Sequence, residues 1–141
     1  MASKTKVKWK NDLTFEAELD GHKFHIDAPL NESKDDKGPR PKGLLLVALA
    51  GCTGMDVVSI LKKMKVEGFS FEMEVTGEIE QEFPKPYHTI NLIYKFEGKD
   101  LPKDKIKRAV ELSETRYCGV SDMLKKAAKL NYAIYINNEA I

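Results

Sequence analysis

The first 27 residues alternate apolar and polar. Val7 and Trp9 alternate with Lys6, Lys8 and Lys10, and beyond a turn at Asn11-Asp12, Leu13, Phe15, Ala17 and Leu19 alternate with Thr14, Glu16 and Glu18. A period of two marks half-buried strands. Asp20-Gly21 is a two-residue hairpin signal, and Phe24 and Ile26 then oppose His25 in a third short strand. The pattern predicts an antiparallel meander with one face buried and one wet. Residues 28–41 are polar and turn-rich and read as a mobile loop. Pro41 suits the first turn of a following helix, where its missing N–H costs nothing.

From about 41 to 64 the period changes. Leu44 through Cys52 are apolar all round, Asp56 interrupts the run, and Lys62, Lys63 and Lys65 return to water at the end where cations suit the helix dipole. An all-round apolar helix is buried on every side. A chain this short rarely wraps a helix alone, so a second copy is expected to complete the cover. Alternation then resumes in two long strands, one carrying Phe69, Phe71, Met73, Val75, Gly77 and Ile79, the other Ile90, Leu92, Tyr94 and Phe96. A helix is predicted from Pro102, with Ile106, Ala109, Val110 and Ser113 at helical spacing, and another from Cys118 to Lys129. Tyr132, Ile134 and Ile136 form a last strand. The order β-β-β-α-β-β-α-α-β is that of an α+β fold, expected as a single domain over 1–141.

Charge narrows the range of functions. The 141 residues carry 23 Lys plus Arg against 22 Asp plus Glu, a formal net charge of +1. Such a chain has no general field for nucleic acid or anionic membrane. Arginine occurs only as Arg40, Arg108 and Arg116. The N-terminal residues lack the apolar core of a signal peptide, and with Asp56 in its middle the long apolar run reads as a buried helix rather than a membrane span. A cytoplasmic location is expected.

Cys52 and Cys118 are the chemistry-bearing residues. Two cysteines do not make a disulfide scaffold, and there is no C-x-x-C. Cys52 lies between Gly51 and Gly54, although each glycine costs about 1 kcal/mol in a helix interior, which suggests a close approach to the backbone. Asp56 is four residues on, on the same face. Its charge would raise a neighbouring thiol pKa, so it reads as a structural acceptor. Cys118 sits between two helical runs, and a helix starting just beyond it would favour a thiolate. Packed thiols and a redox pair both fit this pattern, the latter needing Cα atoms within about 7 Å. His22 and His25 face opposite sides of a strand and His88 stands alone, so no metal site is expected. Residues 31–38 fail the calcium-loop pattern because Asp36 occupies the sixth position.

The segment Pro41-x-x-Leu44-Leu45-Leu46-x-Ala48-Leu49-Ala50-Gly51-Cys52-Thr53-x-Met55-Asp56 closely resembles the central helix of the OsmC/Ohr family. Leu112-Ser113-x-x-x-Tyr117-Cys118-x-Val120-Ser121 resembles that family's second cysteine segment, and Val7-Lys8-Trp9 and Gly98-Lys99-Asp100-Leu101 look like its YhfA-type branch. The resemblance implies an OsmC-like α+β fold: antiparallel sheets, a long buried central helix, and an intertwined homodimer with its active site at the subunit interface. It also implies thiol-dependent reduction of organic hydroperoxides. Cys52 would be the peroxidatic thiolate and Cys118 the resolving thiol, with no bound cofactor and an external dithiol such as a lipoyl group as reductant. The family's activating arginine and its orienting glutamate have no counterpart, since Lys42 and Gly43 follow Pro41 and no arginine precedes Arg40. Arg40, Arg116 and Lys42 are the substitutes the sequence offers. The alternative is a non-enzymatic dimer of the same fold that binds a small apolar ligand or senses redox state.

Overall fold

The N-terminal alternation becomes three antiparallel strands, β1 (Thr5–Asn11), β2 (Thr14–Leu19) and β3 (His22–Ile26), in the order β1-β2-β3. Asp20 and Gly21 both take positive φ, 50° and 77°, the geometry that lets a two-residue loop follow the strand twist. The computed structural model describes residues 1–32 and 35–141; Ser33 and Lys34, part of the segment read as a mobile loop, lie outside the described residues. The chain forms two compact units, Met1–Leu45 and Leu46–Ile141.

In the first unit the register places Val7, Ala17 and Phe24 in one row and Trp9, Phe15 and Ile26 in the next. The rows form an apolar face, of which only Ala17 is buried; Val7 is 52% and Trp9 63% exposed. The expected buried face is therefore largely open in the single chain, because three short strands have no second layer within their own unit. The segment after β3 is also stitched down at several points. Asp27, fully buried, accepts hydrogen bonds from the Thr14 hydroxyl at 2.9 Å, the Ala28 amide at 2.8 Å and the Lys37 amide at 3.1 Å. Its own N–H donates to the Pro39 carbonyl. A Cβ at Gly38 would lie 2.0 Å from the His25 carbonyl oxygen, so only glycine fits there.

The second unit is organised by α1 (Leu44–Lys63), whose first two residues belong to the first unit. Leu49, Thr53, Val57 and Leu61 recur every four residues and are the buried stripe. By length and apolarity α1 could cross a membrane, yet this stripe is seated in the core with Ile90, Leu92, Tyr94 and Phe96. Within this unit α1 packs as a core helix along that stripe. Burial on every side is not met within one chain: Val47, Met55 and Val58 are exposed.

Four strands complete the unit: β4 (Phe69–Ile79), β5 (Tyr87–Gly98), β6 (Lys129–Ile136) and β7 (Glu139–Ala140), in the order β4-β5-β6-β7. Phe71 stacks on Phe96 across the β4–β5 pair, with ring centroids 4.5 Å apart. β6 runs parallel to β5, so this sheet is mixed and not purely antiparallel. A parallel neighbour needs a long crossover, supplied by α2 (Lys103–Leu112), one π-helical turn (Ser113–Tyr117) and α3 (Gly119–Leu124). The helix expected to run to Lys129 stops at Leu124, because the chain must turn and extend into β6. Ile106, Ala109, Val110 and Ser113 do face inward, as their spacing predicted. The short β7 carries no hydrophobic period of its own and was not foreseen.

Candidate active site

The third turn of α1 and the π-helical turn meet at one place. The π turn is closed by the Cys118 N–H donating to the Ser113 carbonyl at 2.9 Å, a spacing of five residues. The extra residue takes Cys118 off the α2 register and leaves it extended, φ −77° and ψ 105°, as the N-cap of α3. Its Sγ accepts the Ser121 N–H at 3.2 Å. On the α1 side, Cys52 and Asp56 share a face one turn apart. The two sulfurs and a carboxylate oxygen of Asp56 all lie within 4.8 Å of one another.

Each group has a distinct environment. Cys118 is buried and Cys52 half-buried. Burial first, and the adjacent Cys52 second, push the Cys118 thiol up to about 12, outweighing the Ser121 N–H that favours its thiolate. The expected help from the start of a helix is present but loses to desolvation. Asp56 accepts from the fully buried Ser113 hydroxyl at 3.0 Å, and the same hydroxyl lies 3.4 Å from the Thr53 carbonyl. Among the described residues Asp56 makes no ion pair and Ser113 is its hydrogen-bond partner. The structural-acceptor reading of Asp56 therefore finds a concrete donor.

A second set of contacts holds the Cys118 turn. Glu114 accepts from the Tyr94 phenol through one carboxylate oxygen and from the Ser121 hydroxyl, at 3.2 Å, through the other. Tyr94 is fully buried, and desolvation together with Glu114 pushes its pKa far up, so it stays a donor. Two hollows adjoin the site. A cavity of about 470 Å³ is lined by Asp56, Ser59, Lys63, Met64, Leu112 and Tyr117, and a recess of about 180 Å³ reaches Cys118. Tyr117 lines both.

Of the candidate cations, Arg116 lines the recess that reaches Cys118. Arg116 is exposed, with its guanidinium carbon 5.5 Å from the Tyr117 ring centroid. Arg40, in the first unit, is held by Asp36 and by the Gly38 carbonyl. Lys42 is exposed. His25 lies 4.0 Å from Glu16, and the His88 ring bonds the Thr89 hydroxyl at 2.8 Å. Of the two glycines flanking Cys52, Gly54 is closely approached, its Cβ position 3.3 Å from the Met73 sulfur. Gly51 meets nothing within 4 Å in the single chain. Sequence reasoning missed Tyr94 and Glu114: Tyr94 read as a core strand residue, and Glu114 was not singled out. Ser113 was detectable, since a serine that continues the buried spacing of α2 into the next turn needs a buried acceptor.

A mixed fold, a central apolar helix and two cysteines delivered to one point from separate elements describe a class of thiol proteins. The OsmC-like family model matches residues 34–133, so the chain belongs to that family. Protein YhfA of Escherichia coli (strain K12) is 37% identical over 129 residues, covering 91% of this chain and 93% of YhfA. A crystal structure of an OsmC-like protein from Mycoplasma pneumoniae superposes with a TM-score of 0.81 at 18% identity, covering 96% of this chain and 97% of its own. The organic hydroperoxide resistance protein OhrB of Bacillus subtilis shares the fold at a TM-score of 0.64 and 17% identity, covering 95% and 98% of the two chains.

Proposed function

We propose that this protein reduces organic hydroperoxides through Cys52 and Cys118, as a cytoplasmic homodimer that takes part in defence against oxidative stress. The observation that carries this reading is the approach of the two sulfurs to within 4.8 Å. Their unequal burial suggests the order of events. The more accessible Cys52 attacks the terminal peroxide oxygen as a thiolate; the O–O bond breaks, the alkoxide leaves as an alcohol on taking a proton, and Cys52 becomes a sulfenic acid. Cys118, giving up its proton, attacks that sulfur; the S–S bond forms and water departs. The sum is two thiols and one hydroperoxide converted to one disulfide, one alcohol and one water. An external dithiol, such as a lipoyl group, then returns both thiols by exchange. The arginines that the sequence offers to steady the Cys52 thiolate are Arg116, which lies over the Tyr117 ring, and Arg40, which is paired with Asp36.

The dimer is supported by the apolar faces that one chain leaves open. Val47, Met55 and Val58 on α1 and Val7 and Trp9 on β1 are exposed. Contiguous faces of this kind mark association sites.

A second reading, binding of a small apolar ligand without chemistry, is favoured by one observation: an open groove of about 730 Å³ lined by Val47, Gly51, Met55, Val58, Phe71 and Met73. Stopped-flow mixing of the reduced protein with cumene hydroperoxide, with thiols counted before and after, separates the two. Loss of both thiols for one peroxide per chain is expected. Cys52→Ser abolishes turnover, and Cys118→Ser leaves one oxidation followed by overoxidation. Oxidation no faster than that of free cysteine, or equal residual turnover in the two variants, would refute the assignment.

A further inference from the structure

We propose that Cys52, Asp56 and Cys118 form a binding site for one thiophilic divalent cation of the zinc or cadmium class. Three donors from two separate segments, α1 and the turn before α3, converge with all ligand atoms within 4.8 Å of one another. For zinc–sulfur bonds of about 2.3 Å in a tetrahedron the two sulfurs stand about 3.8 Å apart. Closing the observed arrangement onto an ion therefore asks the sulfurs to approach by at most about 1 Å, within the reach of side-chain rotation. Two sulfurs and one carboxylate suit a borderline or soft ion, whereas calcium and magnesium need several oxygen ligands.

Asp56 is the residue that thiol chemistry leaves unused, and its setting favours a ligand role. Among the described residues it has no ion-pair partner, although it is half-buried in an otherwise apolar stretch of α1. Its one hydrogen bond, from the Ser113 hydroxyl at 3.0 Å, engages Oδ2 and orients the carboxylate as an outer-sphere partner orients a ligand. Asp56 also lines the cavity of about 470 Å³, from which water can take a fourth position. Binding displaces the two thiol protons to solvent and forms two metal–sulfur bonds and one metal–oxygen bond, with no change of oxidation state. The site does not depend on the peroxidase reading, but a cation there would occupy the sulfur electron pairs that attack peroxide.

The test is titration of the reduced full-length protein with Cd²⁺, followed by thiolate-to-metal charge-transfer absorption, with Zn²⁺ competing against a chromophoric chelator. One ion per chain with the charge-transfer band is expected. Asp56→Asn, which keeps an acceptor for Ser113, should weaken binding by about 100-fold, and Ser113→Ala, which keeps all three donors, by about 10-fold. Cys52→Ser and Cys118→Ser should lose the band, with circular dichroism showing that each variant is folded. Absence of the band in the wild type, or affinity unchanged in Asp56→Asn, would overturn the site. A chain that binds no cadmium yet is oxidised rapidly by cumene hydroperoxide would refute this inference and leave the proposed function intact; one that binds cadmium but resists hydroperoxide would do the reverse.

Discussion

Replacing Tyr94 by phenylalanine removes one oxygen and little else. The ring is fully buried, stacks 6.2 Å from Phe71 and meets the edge of Tyr132 at 6.1 Å, and phenylalanine can keep both contacts. What disappears is the hydrogen bond to the Glu114 carboxylate, one half of the clamp on the turn that carries Cys118. A hydrogen bond to a charged acceptor contributes about 1.5–3 kcal/mol. Glu114 is half-buried and can recover a water, which favours the lower end, about 1.5–2 kcal/mol. For a chain of 141 residues that corresponds to a fall in Tm of about 5 °C. Urea denaturation of wild type, Tyr94→Phe, Glu114→Ala and the double variant gives the coupling directly, expected at about 1 kcal/mol or more. Coupling below about 0.5 kcal/mol, the level at which independent sites simply add, would refute the clamp. If the clamp also positions Cys118, disulfide formation after the first oxidation should slow in Tyr94→Phe while the first oxidation does not.

The buried acids make opposite predictions at the two ends of the pH scale. The Lys37 amide above all, with Thr14 and Ala28, holds the Asp27 carboxyl below its ordinary 3.8, so its stabilisation is present above that value and is lost as pH falls through the lower folded value. Urea midpoints of wild type should fall more steeply than those of Asp27→Asn on acidification; parallel curves would refute this. Cys118 is raised from 9.0 to about 12, so the folded state keeps a proton that the unfolded state releases. This thiol leaves stability unaffected below 9.0 and lowers it as pH rises from there toward about 12. Because Tyr94, raised from 10.0, adds its own loss at the upper end, Cys118→Ser should flatten the pH dependence of thermal melts of the reduced protein chiefly between 9.0 and 10.0. Gly77→Ala puts a Cβ 2.4 Å from the Tyr87 ring and should destabilise by about 1–3 kcal/mol in urea melts, whereas a neutral result would mean that the ring moves aside freely.

The order of the main elements was legible because period and punctuation are local. Alternation marked β1 to β5, Asp20-Gly21 placed a hairpin, and Ile106, Ala109, Val110 and Ser113 located the buried side of α2 and the turn after it. The two cysteine segments were also legible, as motifs. The parallel placement of β6 beside β5 was not, since strand direction depends on how a crossover packs and not on the strand's own residues. The π turn was equally hidden: one extra residue in a helical turn leaves no compositional trace, yet it sets the direction in which Cys118 points.

For this chain, then, the sequence alone determined the α+β class, the long apolar helix and the pair of thiols, because each is a property of contiguous residues. Tertiary structure decided that Cys52, Asp56 and Cys118 meet, that Ser113 serves Asp56, and that Tyr94 and Glu114 hold the second thiol. Apart from Cys52 and Asp56, which share a helix face, the pairings Tyr94–Glu114, Ser113–Asp56 and Cys52–Cys118 join residues 20 to 66 positions apart, and a distance across that much chain is set by packing and not by any local pattern.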